Sequence, residues 1–346
     1  MKIGINGLGR IGRLALRVAL GGVIRNAADR NKSTRLEVVH LNDPNGCTET
    51  IAHLLEFDSI HGKWNTGINF DDDNIDIDGQ KISFSSQPNP ESIEWGQLGC
   101  DLVLECSGMF RTPDSLAGFF DKGVSKLLVA APVHHQSALN IVYGVNEKLY
   151  NPDIHQIITA ASCTTNCLAP VVKVIHENFG IRHGQITTIH DPTNTNVIVD
   201  KVHRDLRRAR SAITSLIPTT TGSASAISLI YPELEGKLNG HAVRAPVLNA
   251  SLTDAVFELK QAATKDDVNS LFEHAAENEL RGILGYEKRL LVSADYVNDT
   301  RSAIIDAEST MVTNHSMLKV YAWYDNEMGY ACRMVDIAKM IIERNK

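Results

Sequence analysis

The chain has 346 residues, which is about two domains at roughly 150 residues each. Its 34 Lys and Arg against 41 Asp and Glu leave a formal charge of −7, and that argues against nucleic acid as the main partner, because neutralising phosphates needs a basic surplus. Hydrophobic residues make up 43%, enough for a sizeable core, yet no run approaches the roughly 18 apolar residues of a membrane span, so no membrane insertion is expected. Met1-Lys2-Ile3-Gly4-Ile5-Asn6 reads as the start of a strand and not as a signal peptide. The six cysteines (Cys47, Cys100, Cys106, Cys163, Cys167 and Cys332) are too sparse for a disulfide framework. They contain no Cys-x-x-Cys pair, so no metal site is expected. The composition fits a reducing compartment, and a cytoplasmic location is the expectation.

In chain order, residues 2–5 form a short apolar run and read as a strand. Residues 10–20 carry Ile11, Leu14, Ala15 and Val18 at helical spacing. A polar stretch, 21–35, reads as a surface loop. Further strands are expected at 36–41, 102–104, 127–130, 141–145 and 157–159. Alternating strands and helices of this kind predict a Rossmann-like, doubly wound parallel sheet. From about residue 162 the pattern changes. A helix is expected over 163–179, stopped by Gly180. Longer, often alternating strands follow at 185–190, 242–247, 251–259, 303–308 and 317–324, which predict an α+β domain with a mixed or antiparallel sheet. A last helix is expected over 329–343.

Gly7-Leu8-Gly9-Arg10-Ile11-Gly12 is a G-x-G-x-x-G motif that follows a strand and opens a helix. Gly7 permits the tight turn, Gly9 lets the backbone approach a pyrophosphate, and Gly12 lets helix and strand pack closely. The helix N-terminus adds N–H donors and a positive dipole end. Asp43, at the end of the second strand, can accept both ribose hydroxyls of NAD and would repel a 2′-phosphate. It could instead cap the turn before Pro44.

Ser162-Cys163-Thr164-Thr165-Asn166-Cys167 lies where a strand ends and a helix begins. A cysteine there has its thiolate favoured by the dipole, and the polar residues beside it suit an anion. Cys163 is therefore the candidate nucleophile, while Cys167 reads as a buried small hydrophobe. His190, 27 residues on at a strand end, is the candidate base. Position alone does not separate it from His134, His135 or His241.

With these residues in place the chain resembles the phosphorylating glyceraldehyde-3-phosphate dehydrogenase family. The resemblance is strongest in Ala161-Ser162-Cys163-Thr164-Thr165-Asn166-Cys167-Leu168-Ala169-Pro170. It extends through Asp58-Ser59-Ile60-His61-Gly62, Gly282-Ile283-Leu284-Gly285-Tyr286 and Trp323-Tyr324-Asp325-Asn326-Glu327-Met328-Gly329-Tyr330. It implies attack by Cys163 on an aldehyde, with His190 as base, hydride transfer to NAD, and release of a thioester by an inorganic oxyanion. It also implies NAD contacts from Gly7, Gly9, Arg10, Ile11, Gly12, Asp43, Ser107, Asn326 and Tyr330. One anion site would hold Ser162, Thr164, Thr221 and Gly222, and the other, for the substrate's phosphate ester, Thr193 and Arg244. The implied domains are a cofactor domain, 1–162 completed by 326–346, and a catalytic domain, 163–325, in a homotetramer.

Several residues depart from the glycolytic pattern of that family. Asp191-Pro192-Thr193-Asn194-Thr195-Asn196 follows the candidate base, Ser225 stands where lysine is typical, and Ala131-Pro132-Val133-His134 replaces a Pro-Ser-Lys run. This set is similar to the branch associated with arsenate resistance. That likeness implies a product, 1-arseno-3-phosphoglycerate, exported by an efflux permease. A housekeeping glycolytic enzyme and an erythrose-4-phosphate dehydrogenase are the rival readings. A different class, RNA binding, would rest on residues 201–210, with Lys201, Arg204, Arg207, Arg208 and Arg210. That loop has no aromatic for base stacking.

Overall fold

The structure is a computed structural model that describes residues 1–21 and 35–345. Almost all of the loop expected at 21–35 thus lies outside the described residues. The chain divides into two compact units: Met1–Tyr143, Glu147–Ser162 and Tyr330–Lys346 in one, Gly144–Asn146 and Cys163–Gly329 in the other.

The first unit holds β1 (Ile3–Asn6), α1 (Arg10–Ala19), β2 (Val38–Asn42), α2 (Thr48–Glu56), β3 (Ile68–Phe70), β4 (Asn74–Ile77), β5 (Gln80–Ser85), β6 (Leu102–Glu105), α3 (Pro113–Asp121), β7 (Lys126–Val129), β8 (Ala138–Asn140) and β9 (Ile157–Thr159). The sheet order is β3-β4-β5-β2-β1-β6-β7-β9-β8. From β5 to β8 every pairing is parallel. This is the expected doubly wound sheet. Its central strands are fully buried apolar runs such as Ile3 and Ile5 or Leu102 to Leu104, as two-sided coverage requires.

Three differences from expectation have local causes. The β4–β5 hairpin was not foreseen, because Asp71-Asp72-Asp73 makes its surroundings look like a loop. Its turn is Asp78-Gly79 with φ 52° and 81°, the two left-handed residues that an Asp-Gly hairpin turn demands. The strand expected at 141–145 does not form; the edge strand is β8, three residues earlier. Ile141 and Val142 are buried, which mimics a strand, but the chain turns and Gly144 takes φ 88°. The strand expected at 242–247 is β12, Leu238–Arg244, because Pro246 cannot donate to a ladder.

The second unit opens with α4 (Cys163–Phe179), followed by β10 (Ile181–His190), β11 (Ile217–Thr220), α5 (Ser223–Ala226), β12, β13 (Ser251–Leu259), α6 (Lys265–Glu277), β14 (Leu284–Glu287), β15 (Ala303–Asp306), β16 (Met311–Thr313) and β17 (Met317–Tyr324). The order β11-β12-β10-β13-β17-β15-β14 is mixed: β10 pairs with β12 in parallel and with β13 antiparallel. The last helix, α7 (Met328–Arg344), begins in this unit and continues in the first. The observed division at 329/330 falls four residues after the expected one. Asn326 and Met328 hydrogen-bond within the second unit, to Asp191 and Asp325.

Candidate active site

In the first unit the Gly-rich turn joins β1 to α1. Gly7 has φ 89°, and a Cβ there would lie 2.4 Å from Ser107 N. A Cβ on Gly12 would lie 1.9 Å from the Gly7 carbonyl oxygen, so only glycine lets helix and strand approach this closely. Gly9, at the helix N-cap, caps with no side chain, and nothing lies within 4 Å of a Cβ built on it. An open, uncapped helix N-terminus is a fit for a dinucleotide pyrophosphate. Ile11 is half-buried in the first turn. The Arg10 guanidinium grips Asp58 through Nη1 at 2.5 Å and Nη2 at 3.0 Å. Burial pushes the Asp58 carboxyl up, but Arg10 and the N–H groups of His61 and Ile60 outweigh it and hold the group well below the usual carboxylate range.

The C-terminal ends of β1, β2 and β6 carry a polar belt. Asn42 donates to Asn6 Oδ1 at 2.7 Å, and Asn6 donates to Glu105 Oε2 at 2.5 Å. Ser107 N–H donates to Glu105 Oε1 at 2.8 Å, and its hydroxyl donates to the same oxygen. Burial pushes the Glu105 carboxyl up to about 7, against the opposing hydrogen bonds from Asn6 and Ser107. Of the two readings weighed for Asp43, the structure shows the capping one. Its Oδ2 accepts from Leu8 N–H at 2.7 Å and its Oδ1 from Asn45 N–H at 2.9 Å. It thus caps the turn at Pro44 and ties it to the Gly-rich loop, while a carboxylate retains lone pairs for hydroxyl donors. Tyr330, on α7, is buried and donates its hydroxyl to the carbonyl of Ala161 at 3.1 Å. Ala161 is a non-glycine residue at φ 51°, a strained conformation just ahead of Ser162 and Cys163.

In the second unit four strands bring their ends together. His190 ends β10 beside Arg244, which ends the parallel β12; Ser251 starts β13 opposite Tyr324, which ends β17. Against this edge α4 begins at Cys163. Thr164 Oγ1 is 2.9 Å from Tyr324 Oη, both buried. Sγ of Cys163, partly exposed, lies 3.7 Å from Nε2 of His190. Cys167 is fully buried and its thiol is pushed up to about 12 by burial, so it is an inert packing residue.

His190 Nδ1 has three neighbours: Asp191 Oδ1 at 2.6 Å, the Asp191 carbonyl at 2.9 Å and Arg244 Nη1 at 2.7 Å. Arg244 can only donate and a carboxylate can only accept. The Nδ1 proton therefore goes to Asp191, while Arg244 Nη1 donates to the Asp191 carbonyl at 2.9 Å. Burial alone would lower the His190 pKa, but Asp191 and Cys163 outweigh it and raise it to about 9. These neighbours favour the protonated ring, whose Nε2 faces sulfur.

The remaining anion candidates divide along the sheet. Arg244 Nε is buried without a hydrogen-bond partner, an orphaned donor that suits an incoming oxyanion. Thr193, exposed, has its hydroxyl 3.1 Å from that of Thr195. Thr221 and the exposed Gly222 follow β11, whose Thr220 pairs with His241, three residues before Arg244. That is about 10 Å from Arg244 along the strand. His241, weighed as a rival base, thus lies away from the His190 end of the sheet. The amide of Asn326 is engaged by Asp191 Oδ2 at 3.1 Å and the Ser251 hydroxyl at 3.2 Å.

Comparison with known proteins agrees with this layout. Residues 1–113 match the family model for the glyceraldehyde 3-phosphate dehydrogenase NAD binding domain, and 162–326 match that for the C-terminal domain. Glyceraldehyde-3-phosphate dehydrogenase 3 of Nostoc sp. is 56% identical over 342 residues, covering 99% of this chain and 98% of that protein. The Geobacillus stearothermophilus glyceraldehyde-3-phosphate dehydrogenase is 45% identical over 344 residues and glyceraldehyde-3-phosphate dehydrogenase 1 of Bacillus subtilis 44%, each with 99% coverage of both chains. The chain belongs to the glyceraldehyde-3-phosphate dehydrogenase family. It is accordingly an NAD-dependent, phosphorylating aldehyde dehydrogenase. Three groups of this dehydrogenase escaped the sequence reading as participants. Glu105 lay in an apolar run, Ser251 opened an ordinary strand, and Asp191 was noted only as a departure. For Asp191 a signal was present: a carboxylate directly after a candidate base at a strand end.

No described helix is long and apolar enough to cross a membrane. Among the described residues no group of three or more His, Cys, Asp or Glu could hold a metal ion. In the basic loop, Arg210 pairs with Asp200 at 2.8 Å and Arg208 with Asp205 at 3.6 Å.

Proposed function

We propose that this enzyme oxidises glyceraldehyde 3-phosphate through a thioester on Cys163 that an inorganic oxyanion releases. The observation that carries the reading is the 3.7 Å approach of Sγ to His190 Nε2 at the start of a helix. The thiolate adds to the aldehyde carbon, and the alkoxide so formed takes the Nε2 proton. The neutral ring then takes the hydroxyl proton back as the substrate gives up its hydride, leaving the thioester on sulfur. NAD, when bound, supplies the acceptor for that hydride. Phosphate or arsenate then attacks the thioester carbon and expels the thiolate, which Nε2–H receives.

In this reading the Gly7–Gly12 turn, Asp43 and Ser107 hold the cofactor, with Asn326 and Tyr330 assisting. Arg244 and Thr193 take the substrate's phosphate ester. Ser162, Thr164, Thr221 and Gly222 take the inorganic oxyanion, through hydroxyl and N–H donors suited to developing negative charge. Replacing Asp43 by alanine is expected to narrow the preference for NAD over NADP by about 10-fold, since one misplaced polar contact is worth that order. Steady-state kcat/KM with each cofactor checks this, and an unchanged ratio removes Asp43 from the ribose.

The finer reading is detoxification, with arsenate as the working oxyanion and 1-arseno-3-phosphoglycerate passed to an efflux permease. Its support is the likeness of Asp191 to Asn196, Ser225 and Ala131 to His134 to that branch. A housekeeping role is equally consistent with the relatives found, and hydrogen bonding separates two tetrahedral oxyanions of similar charge poorly. The experiment is appearance of reduced nicotinamide with purified protein, as initial rates with phosphate and with arsenate. Signal with each oxyanion is expected, with the larger kcat/KM for arsenate. No signal with either sinks the thioester reading, and preference for phosphate sinks the finer one.

A homotetramer acting in the cytoplasm completes the proposal. Ile198, Val199, Val202, Leu206, Ile213 and Leu216 are 59 to 98% exposed in the single chain, an apolar patch of the kind that subunits cover. The same residues, with the ion pairs at Arg208 and Arg210, weigh against RNA binding by this loop.

A further inference from the structure

A base at a strand end needs something to fix which nitrogen faces the nucleophile. In this chain the residue after His190 is an aspartate that is 2% exposed. It follows directly on the end of β10, and its side chain meets the ring, with Oδ1 2.6 Å from Nδ1. The carboxylate is itself held on both sides. Asn326 donates to Oδ2 at 3.1 Å, and the Ser251 hydroxyl lies 3.2 Å from Oδ1. Ser251 Oγ also lies 3.4 Å from the Asp191 N–H. Every part of this arrangement is buried, so water does not compete for the acceptor sites and a carboxylate acts at its strongest.

We infer that Asp191 is a positioning residue that makes Cys163 and His190 the first two members of a Cys–His–Asp relay, with Asn326 and Ser251 clamping the third. The inference rests on the thioester reading above and deepens it. By accepting from Nδ1–H, Asp191 fixes the tautomer with Nε2 toward sulfur and stabilises the charge that the ring gains on taking the thiol proton. The charged and titratable groups facing the ring are Cys163 from α4, Asp191 itself, Arg244 from β12 and Tyr324 from β17, whose ring meets His190 edge-on at 6.1 Å. Arg244 opposes a positive ring and Tyr324 is held neutral by burial. Asp191 is therefore the group whose charge favours the imidazolium from the Nδ1 side.

The test compares the full-length enzyme with Asp191→Asn and Asp191→Ala. The rate of Cys163 alkylation by iodoacetamide is followed across a pH series, with the modified peptide located by mass spectrometry, alongside kcat and KM. Without the carboxylate the ring is less basic, so the proton stays on sulfur to higher pH. The alkylation midpoint is expected to move upward, and the rate near neutral pH to fall about 10- to 100-fold, the change that about one to two pKa units of lost stabilisation produce. The aldehyde KM should change little while kcat falls. Asp191→Asn preserves shape, so it reads the charge even if the alanine variant does not fold. A midpoint and kcat in Asp191→Asn within about twofold of the parent, with only lower thermal stability, would reduce Asp191 to a prop for Asn326 and Ser251 and overturn the inference. Cys163→Ser run in parallel separates the two claims. If that variant is active, the thioester reading itself fails; if it is inactive while Asp191→Asn behaves as the parent, only the relay fails.

Discussion

Cys163→Ser is expected to lower kcat about 10⁶-fold while leaving the thermal transition nearly unchanged, because removal of a nucleophile costs on that order and leaves only binding and oxyanion stabilisation. Sulfur and oxygen differ little in volume, and the position is only partly buried, so packing is spared. The loss is chemical. A hydroxyl is far less acidic than a thiol, so a serine at the same place gives up its proton to the imidazole much less readily. Steady-state nicotinamide reduction checks the rate, and mass spectrometry of the enzyme quenched with substrate checks the intermediate. The parent should carry an acyl adduct on the peptide containing Cys163. Activity retained at more than about a tenth of the parent in the serine variant would remove Cys163 from the chemistry.

His190→Asn should follow with a loss of about 10² to 10⁴ in kcat, the range measured for loss of a positioned acid–base group. Asparagine fills much of the imidazole volume and can still accept from Arg244. It cannot give Nε2–H to an alkoxide or take a proton from a hemithioacetal. The sign of the pH dependence distinguishes this from a packing defect. In the parent, Asp191 and Cys163 raise the His190 pKa to about 9 against the lowering by burial, so the ring favours its protonated form beside the sulfur. Without the ring, ionisation of sulfur depends on hydroxide alone. The deficit in alkylation of Cys163 should therefore be largest near neutral pH and shrink as pH rises and hydroxide takes over the ionisation of sulfur. A deficit of the same size at every pH would mean that His190 only shapes the cleft and does not exchange a proton with sulfur.

How much of this was legible in sequence differs from residue to residue. The Gly-rich turn was readable because its requirement is local: a left-handed Gly7 and a Cβ-free Gly12 follow from strand–turn–helix geometry within six residues. Cys163 was readable for the same reason, since a cysteine opening a helix carries its electrostatics with it. The β4–β5 hairpin was missed because charge density at 71–73 masked an Asp-Gly turn. The strand at 141–145 was misplaced because two buried apolar residues look alike in a strand and in a packed turn. Arg10 shows the opposite limit: it lies inside the Gly-rich motif, but nothing local announced that its guanidinium would pair with Asp58, 48 residues on.

The amino-acid sequence by itself determined the doubly wound parallel sheet of the first unit, the change of pattern near residue 162, the nucleophile candidate and the family resemblance. The first three depend on periodicity or on spacings of a few residues, and the resemblance on motifs matched along the chain. Position did not single out His190 among the 13 histidines, although the resemblance implied it; the tertiary structure brought it against the thiol, ended the strand of Arg244 beside it, and made Asp191, Ser251 and Asn326 converge behind it. Those residues lie 60 and 135 positions from Asp191 along the chain. Their meeting depends on the register of β10 against β12 and β13, a long-range pairing that no local preference encodes.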